Sequence, residues 1–251
     1  MEEMKLIGMH GIKKEIAKIL ACEKVYQKTN ARIPHFIIML DAGNGQTYVT
    51  EAITDVLVDH ALRDFHGIDE YLEYKTDGTL ANIKWIFSDI DDNAIYDNEY
   101  KGVVAMDISK MAGVQNEYQM KYFEEKLVKV AETATIILYC ATTLGRRGET
   151  LIRRVSNSMK DVRMIEPEAY TAYDLAEMIL QNILERGILV ADEEKMVKLL
   201  EEFVQQSGIK TAKNAVAIAE RLVFYADYSK AVPVLSLGET GNFKKNFCME
   251  A

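Results

Sequence analysis

Cysteine is scarce in this 251-residue sequence, and so is positive charge. Cys22, Cys140 and Cys248 are scattered and show no CxxC or CxH spacing. They exclude a structural zinc site of ordinary ligand spacing and argue against a disulfide framework; reduced thiols fit a cytoplasmic protein. Lysine and arginine number 30 against 39 aspartates and glutamates, a formal net charge of −9. Duplex-binding proteins normally carry a basic excess, so nucleic acid is not expected as a main partner. No apolar run approaches the ~20 residues that a membrane-spanning helix needs. The opening MEEMKLIGMHGIKKEI is acidic and then amphipathic, without a signal-peptide core. Internal repeats are absent, and none of the four histidines has a partner at metal-ligand spacing.

What is present is ordinary globular material: 49% hydrophobic and 27% charged residues with no biased tract. Residues 11–28 put Ile12, Ile16, Ile19, Leu20 and Val25 on one helical face. Residues 33–40, 102–108 and 135–141 are short apolar runs that read as buried strands, with weaker strands at 71–75 and 161–165. Helical spacing fills 47–61, 80–90 and 115–131. Strands alternating with helices predict crossover units and a mostly parallel sheet, buried on both faces. From Glu166 onward only helices are expected. Thr171 with Asp174 three residues later reads as a capping box, Gly187 as a C-terminal cap, and 192–206 and 211–228 as two more helices. The last stretch carries Pro233, Gly238 and Gly241, lacks a clear period, and reads as a tail docked by Val234, Leu235, Phe243 and Phe247.

The stretch HFIIMLDAGNGQTYVTEAITDVL, residues 35–57, combines a strand, a glycine turn and a Thr that opens an amphipathic run. A nucleotide-binding protein places a phosphate loop in this pattern, because glycines let successive backbone N–H groups face phosphate at a helix N-terminus. Gly43, Gly45 and Thr47 fit. Gln46 stands where the phosphate-contacting lysine belongs, and Gly-Asn-Gly by itself is also ordinary turn chemistry.

Order along the chain sharpens the reading. LIGMHGIKKEI (6–16), LDAGNGQT (40–47), VVAMDI (103–108), TIILYCATT (135–143), LIRRVSN (151–157) and the helical segment 185–223 follow one another. At these residues the sequence resembles the AAA+ superfamily, and within it the group holding the stage V sporulation protein K and the red-type Rubisco activases. The resemblance covers about residues 5–228, with every motif eroded. It implies an α/β, P-loop NTPase-like parallel sheet flanked by helices over 1–166, a small all-helical lid over 167–229 and a C-terminal tail over 230–251.

The resemblance also implies roles. Ile7 and Gly8 would lie near adenine; Gly43, Asn44, Gly45, Gln46, Thr47 and Tyr48 would form the phosphate loop. Thr47 and Asp107 would hold Mg²⁺. Thr142, or Thr143, would stand for the polar sensor of the fourth strand, and Arg154, beside Arg153, for the arginine finger offered to a neighbouring subunit. The lid arginine falls on Ala212, Lys213 or Asn214, of which only Lys213 carries charge.

Several substitutions weaken such a site. Leu40 replaces a glycine, Gln46 a lysine, and Asp41 adds a negative charge whose repulsion of phosphate amounts to roughly 1 kcal/mol even in watery surroundings. Ile108 replaces the glutamate that would polarise the attacking water, a loss of ~10²–10⁴ in rate. No aromatic pore loop fits between the second strand and its helix, since the chain turns through Thr76-Asp77-Gly78. The expectation is a degenerate AAA+ protein with impaired or absent hydrolysis, a structural or regulatory subunit of an ATPase assembly. The alternative is a working Mg-ATP enzyme, remodelling or clamp-loader-like. Cofactors would be weakly held ATP or ADP with Mg²⁺, or none; partners would be a homo- or hetero-oligomeric AAA+ ring or another protein. Trp85 and Phe87 are expected in the core, and Asp89, Asp91 and Asp92 in a solvated loop.

Overall fold

The apolar runs without alternation all enter one parallel sheet. A computed structural model describes residues 6–29, 33–60, 62, 71–94 and 100–250. Residue 5, Ala61 and the side chains of Phe247 and Cys248, named above, lie outside the described residues. The chain divides into two units. One holds residues 10–42 and 46–167; the other gathers Ile7–Met9, Gly43–Gly45 and residues from Glu168 on.

The first unit runs α1 (His10–Ala21), α2 (Glu23–Thr29), β1 (His35–Met39), α3 (Gln46–Asp59), β2 (Tyr71–Lys75), α4 (Leu80–Asp92) and β3 (Val103–Asp107). A 3₁₀ turn (Ser109–Gly113), α5 (Glu117–Ala131), β4 (Thr135–Cys140), a second 3₁₀ turn (Thr142–Leu144), α6 (Arg146–Ser158) and β5 (Val162–Ile165) follow. The strand order is β2-β3-β4-β1-β5, and every neighbouring pair is parallel. This is a P-loop NTPase-like α/β fold.

Position in the sheet explains composition. β3 and β4 are interior and covered on both faces, and every residue of each is buried. β2 lies at an edge of this order and alternates, Leu72 and Tyr74 inward and Glu73 and Lys75 outward. Phe123 of α5 is fully buried against this sheet's core beside Phe87 of α4, with ring centroids 5.9 Å apart. Truncating such a ring to alanine typically costs about 3–5 kcal/mol.

The helix read over 11–28 is broken. The N–H of Cys22 donates to the Ile19 carbonyl at 3.0 Å, an i−3 bond that tightens the end of α1, and α2 starts anew at Glu23. Val25 therefore leaves the apolar face and is 53% exposed. Trp85 is also corrected: it is 60% exposed, with an edge contact to Tyr74, because α4 buries Ile83, Ile86, Phe87 and Ile90 and leaves position 85 outside that stripe. Asp89, Asp91 and Asp92 belong to the last turns of α4 rather than to a loop, and Asp89 accepts the Tyr74 hydroxyl at 2.8 Å.

The second unit carries α7 (Ala172–Glu185), β6 (Leu189–Val190), α8 (Glu193–Ser207), α9 (Ala212–Val223), β7 (Val234–Leu235) and α10 (Leu237–Glu250). Thr171 and Asp174 form the reciprocal capping box of α7. Asp192 and Thr211 cap α8 and α9 through their side chains. The stretch read as a tail contains structure of its own. β7 pairs parallel with β6, Leu235 is fully buried, and Phe243 packs at 5.7 Å from Phe203 and 5.3 Å from Tyr225. The weak period of α10, with Gly238 and Gly241 inside it, explains why the sequence did not read as a helix.

Candidate functional site

β1 ends at Met39, and the chain turns through residues 40–45 before α3 opens at Gln46. Gly43 and Gly45 take φ of +87° and +89°, a backbone that L side chains resist, so glycine is needed at both. Two such glycines ahead of a helix N-terminus are compatible with a phosphate loop. The turn's side chains are another matter.

In the first unit the polar groups of the loop and its neighbours engage one another. The Gln46 side-chain amide donates to the Leu40 carbonyl at 3.0 Å. The Thr47 hydroxyl donates to the Glu73 carboxylate, 3.0 and 2.9 Å from its two oxygens. Thr142 donates its hydroxyl to Asp41, and the Thr143 hydroxyl reaches the same carboxylate at 3.3 Å. Beneath them the buried Tyr139 hydroxyl donates to the Gln46 carbonyl at 2.8 Å and lies 2.9 Å from the Thr50 hydroxyl. Burial raises the Tyr139 pKa. Asp107 ends β3 only 7% exposed and accepts the N–H of Ser109, two residues on, at 2.9 Å, an Asx-type turn. Ile108 is fully buried and presents no acid.

Cys140, at the end of β4, has its pKa pushed up to about 11, first by burial and then by Asp107 and Asp41. Two carboxylates are thus felt at one sulfur, and Glu73 adds a third negative side chain to the same unit. Tyr48 of α3 is 39% exposed.

Arg154 is not grouped with these residues. Its guanidinium holds Glu117 and Glu124 of α5, with Nη1 2.9 Å from a Glu117 oxygen and Nε on Glu124. Its hydrogen bonds to Glu117, then Glu124, raise its pKa further, and the same pairing lowers that of Glu117. Arg153 is exposed.

In the second unit Gly43–Gly45 meet other partners. The Lys213 N–H, at the start of α9, donates to the Gly43 carbonyl at 2.9 Å. The Tyr170 hydroxyl donates to the Asn44 carbonyl at 2.8 Å, and burial raises the Tyr170 pKa. Asn44 Oδ1 is buried with no hydrogen-bond partner among the described residues. Gly8 sits at φ +67°, and a Cβ there would come within 3.2 Å of Tyr170 and Asp174, so its glycine is a packing requirement. Ile7 lines a cleft of about 410 Å³ with Tyr173, Leu180 and Val197, and the rim carries Glu177, Glu193 and Glu194 against Lys198. An acidic rim disfavours a polyphosphate.

Glu73, Tyr139, Tyr170, Glu117 and Glu124 were not anticipated. Glu73 had a readable signal, an outward acid in an alternating edge strand. The others had none, since their role depends on which helix or turn packs beside them.

Comparison with solved structures places this architecture. The chain superposes on Thermotoga maritima RuvB: an arginine-to-alanine mutant of that protein gives a TM-score of 0.62 at 13% identity, over 96% of this chain and 70% of that one. A proline-to-glycine mutant of RuvB gives 0.56 at 15% identity, over 88% of this chain and 64% of that chain, so this chain spans less than two thirds of that RuvB's length. C. elegans PCH-2 gives 0.57 at 12% identity, over 95% and 69%. The fold is one that this chain shares with RuvB and PCH-2. At these identities the likeness is one of fold. No protein-family model matches the sequence, and no curated protein does.

Magnesium and nucleotide fit these residues poorly. The loop backbone is suitable, and Thr47 and Asp107 would be the ligands holding Mg²⁺. Against that, Gln46 brings no charge, Thr47 is engaged by Glu73, and Asp41 adds a carboxylate that is bonded to Thr142.

Proposed function

We propose that this chain is a degenerate AAA+ protein with impaired or absent ATP hydrolysis, acting as a structural or regulatory subunit of an ATPase assembly. One observation carries the reading: Gln46, Thr47 and Thr142, three of the side chains that would meet nucleotide, are each satisfied inside the first unit, by Leu40, Glu73 and Asp41. Side chains engaged in this way need no triphosphate to be ordered. The missing lysine and the missing glutamate at Ile108 point the same way. The finer kinship, to the stage V sporulation protein K and red-type Rubisco activase group, rests on motif order in the sequence.

In this reading the partner is a protein, an intact AAA+ ATPase in a mixed ring or another subunit, and the setting is the cytoplasm. No helix among the described residues is long and apolar enough to cross a membrane. Arg154 would serve a neighbour only after releasing Glu117 and Glu124. The test is ATP hydrolysis by the purified chain. Turnover at the background of an Asp107→Ala variant supports the reading; turnover at ordinary ATPase rates, abolished by Asp107→Ala, refutes it.

A second reading, a working Mg-ATP enzyme of remodelling or clamp-loader-like kind, is favoured by Lys213, the cation whose backbone is bonded to Gly43. It would stand in for the absent lysine. Thermal denaturation with and without Mg-ATP separates the two: a stabilisation lost in Lys213→Ala supports this second reading.

A further inference from the structure

We propose that the groove between α6, α5 and the 3₁₀ turn after β3 binds an acidic, leucine-bearing segment of a partner protein. The groove lies wholly within the first unit and encloses about 310 Å³. Met111 and Val114 from the turn and Met120 from α5 supply apolar lining, and Arg146, Arg147 and Thr150 of α6 supply the polar side. Met111 and Met120 lie buried at the floor, 1% and 4% exposed, so the accessible apolar surface comes from the partly exposed Ala112 and Val114.

Charge decides the class of occupant. The chain as a whole is acidic, at −9, yet four of its nine arginines lie on α6, at 146, 147, 153 and 154. Arg154 is neutralised by Glu117 and Glu124. Arg146 and Arg147 form no ion pair with another described residue, and both are exposed. They also occupy the first turn of their helix, where the macrodipole is positive and cations are disfavoured. Glu149 of the same turn forms no ion pair with either arginine, whereas carboxylates of a docked segment would pair with both through charge-assisted and bidentate bonds. The partly exposed Ala112 and Val114 ask for an apolar anchor, which a bare polyanion lacks. Acid and leucine together match both halves of the groove. Its use does not depend on whether nucleotide binds.

The test uses the full chain and a fluorescein-labelled twelve-residue peptide of glutamates around a central Leu-Leu pair, read by fluorescence anisotropy at low salt. Saturable binding is expected. It should weaken at least tenfold, about 1.4 kcal/mol, when the leucines become serine, when the glutamates become glutamine, and in the Arg146→Glu/Arg147→Glu variant. The altered side chains are exposed, and an unchanged far-ultraviolet spectrum and melting temperature confirm folding. Thr150→Tyr, which fills the groove without changing charge, should weaken binding as well. No saturable binding overturns the proposal. So does equal binding by the double variant, or tighter binding of a labelled oligo-dT of equal charge, which would make the face a nucleic-acid surface.

Discussion

Thr47 gives its hydroxyl to Glu73, 2.9 and 3.0 Å from the two carboxylate oxygens. The residue that would coordinate a metal is held by an acid from the edge strand. The bond is exposed, so it belongs at the low end of the ~0.5–1.5 kcal/mol of a net intramolecular hydrogen bond. Thr47→Val and Glu73→Ala should each destabilise by about 0.5 kcal/mol, and the double variant by little more than one of them. Urea unfolding of the four proteins measures this; strict additivity would show that the two side chains do not interact.

Gln46 acts as a staple across its own loop. Gln46→Lys removes the bond to the Leu40 carbonyl and is expected to lower stability by about 1 kcal/mol. It should not create Mg-ATP binding, since Asp41 and Glu73 remain. A thermal-shift series with Mg-ATP checks this: a ligand-dependent rise in the single variant would mean that the lysine was the only missing part.

The Arg154 pairs should show in salt and in acid. Arg154→Ala is expected to cost about 1 kcal/mol at low salt, less in 1 M salt, where charges are screened within about 3 Å. Arg154 holds the Glu117 carboxyl below its ordinary value of about 4.5. In the folded chain Glu117 therefore stays ionised where the unfolded chain has begun to take up the proton. The unfolded state binds more protons, so this stabilisation is present above about pH 4.5 and is lost as pH falls through the lowered folded value. The gap between wild type and Arg154→Ala should narrow over that range in acid-unfolding curves.

Cys140 behaves in the opposite sense. Its thiol, raised from an ordinary value of about 9 to about 11 when folded, keeps its proton where an unfolded cysteine has lost it. Between those values the folded state binds more protons, so stability falls as pH rises from about 9 to about 11. At about pH 8 Cys22, which is exposed, should alkylate in the native protein while Cys140 stays unlabelled until denaturant is added. Peptide mass spectrometry after brief iodoacetamide treatment separates the two.

Much of the fold was legible because burial leaves a composition. β1, β3 and β4 are covered on both faces, so their residues are apolar without alternation, and Thr171 with Asp174 announced its helix by capping chemistry. Trp85 was misread because residue type outweighed phase: α4 turns its apolar stripe inward and carries the indole outside it. As the chain's single tryptophan, it should emit as a solvated indole and be quenched readily by acrylamide; a blue-shifted, protected emission would contradict its 60% exposure. The candidate site was legible only as losses. Sequence comparison with a phosphate loop shows that Gln46 lacks charge, but not that its amide turns back on Leu40, nor that Glu73 and Asp41 take up Thr47 and Thr142. Those contacts join residues 26 and 101 positions apart.

The closed, carboxylate-lined loop is tested most directly by isothermal titration of Mg-ATP into the wild-type chain and into the variant Asp41→Asn/Gln46→Lys/Glu73→Ala. The wild type should show no saturable heat, and the triple variant, with a lysine supplied and both acids removed, should bind. Micromolar binding by the wild type, no weaker than that of the triple variant, would contradict the account.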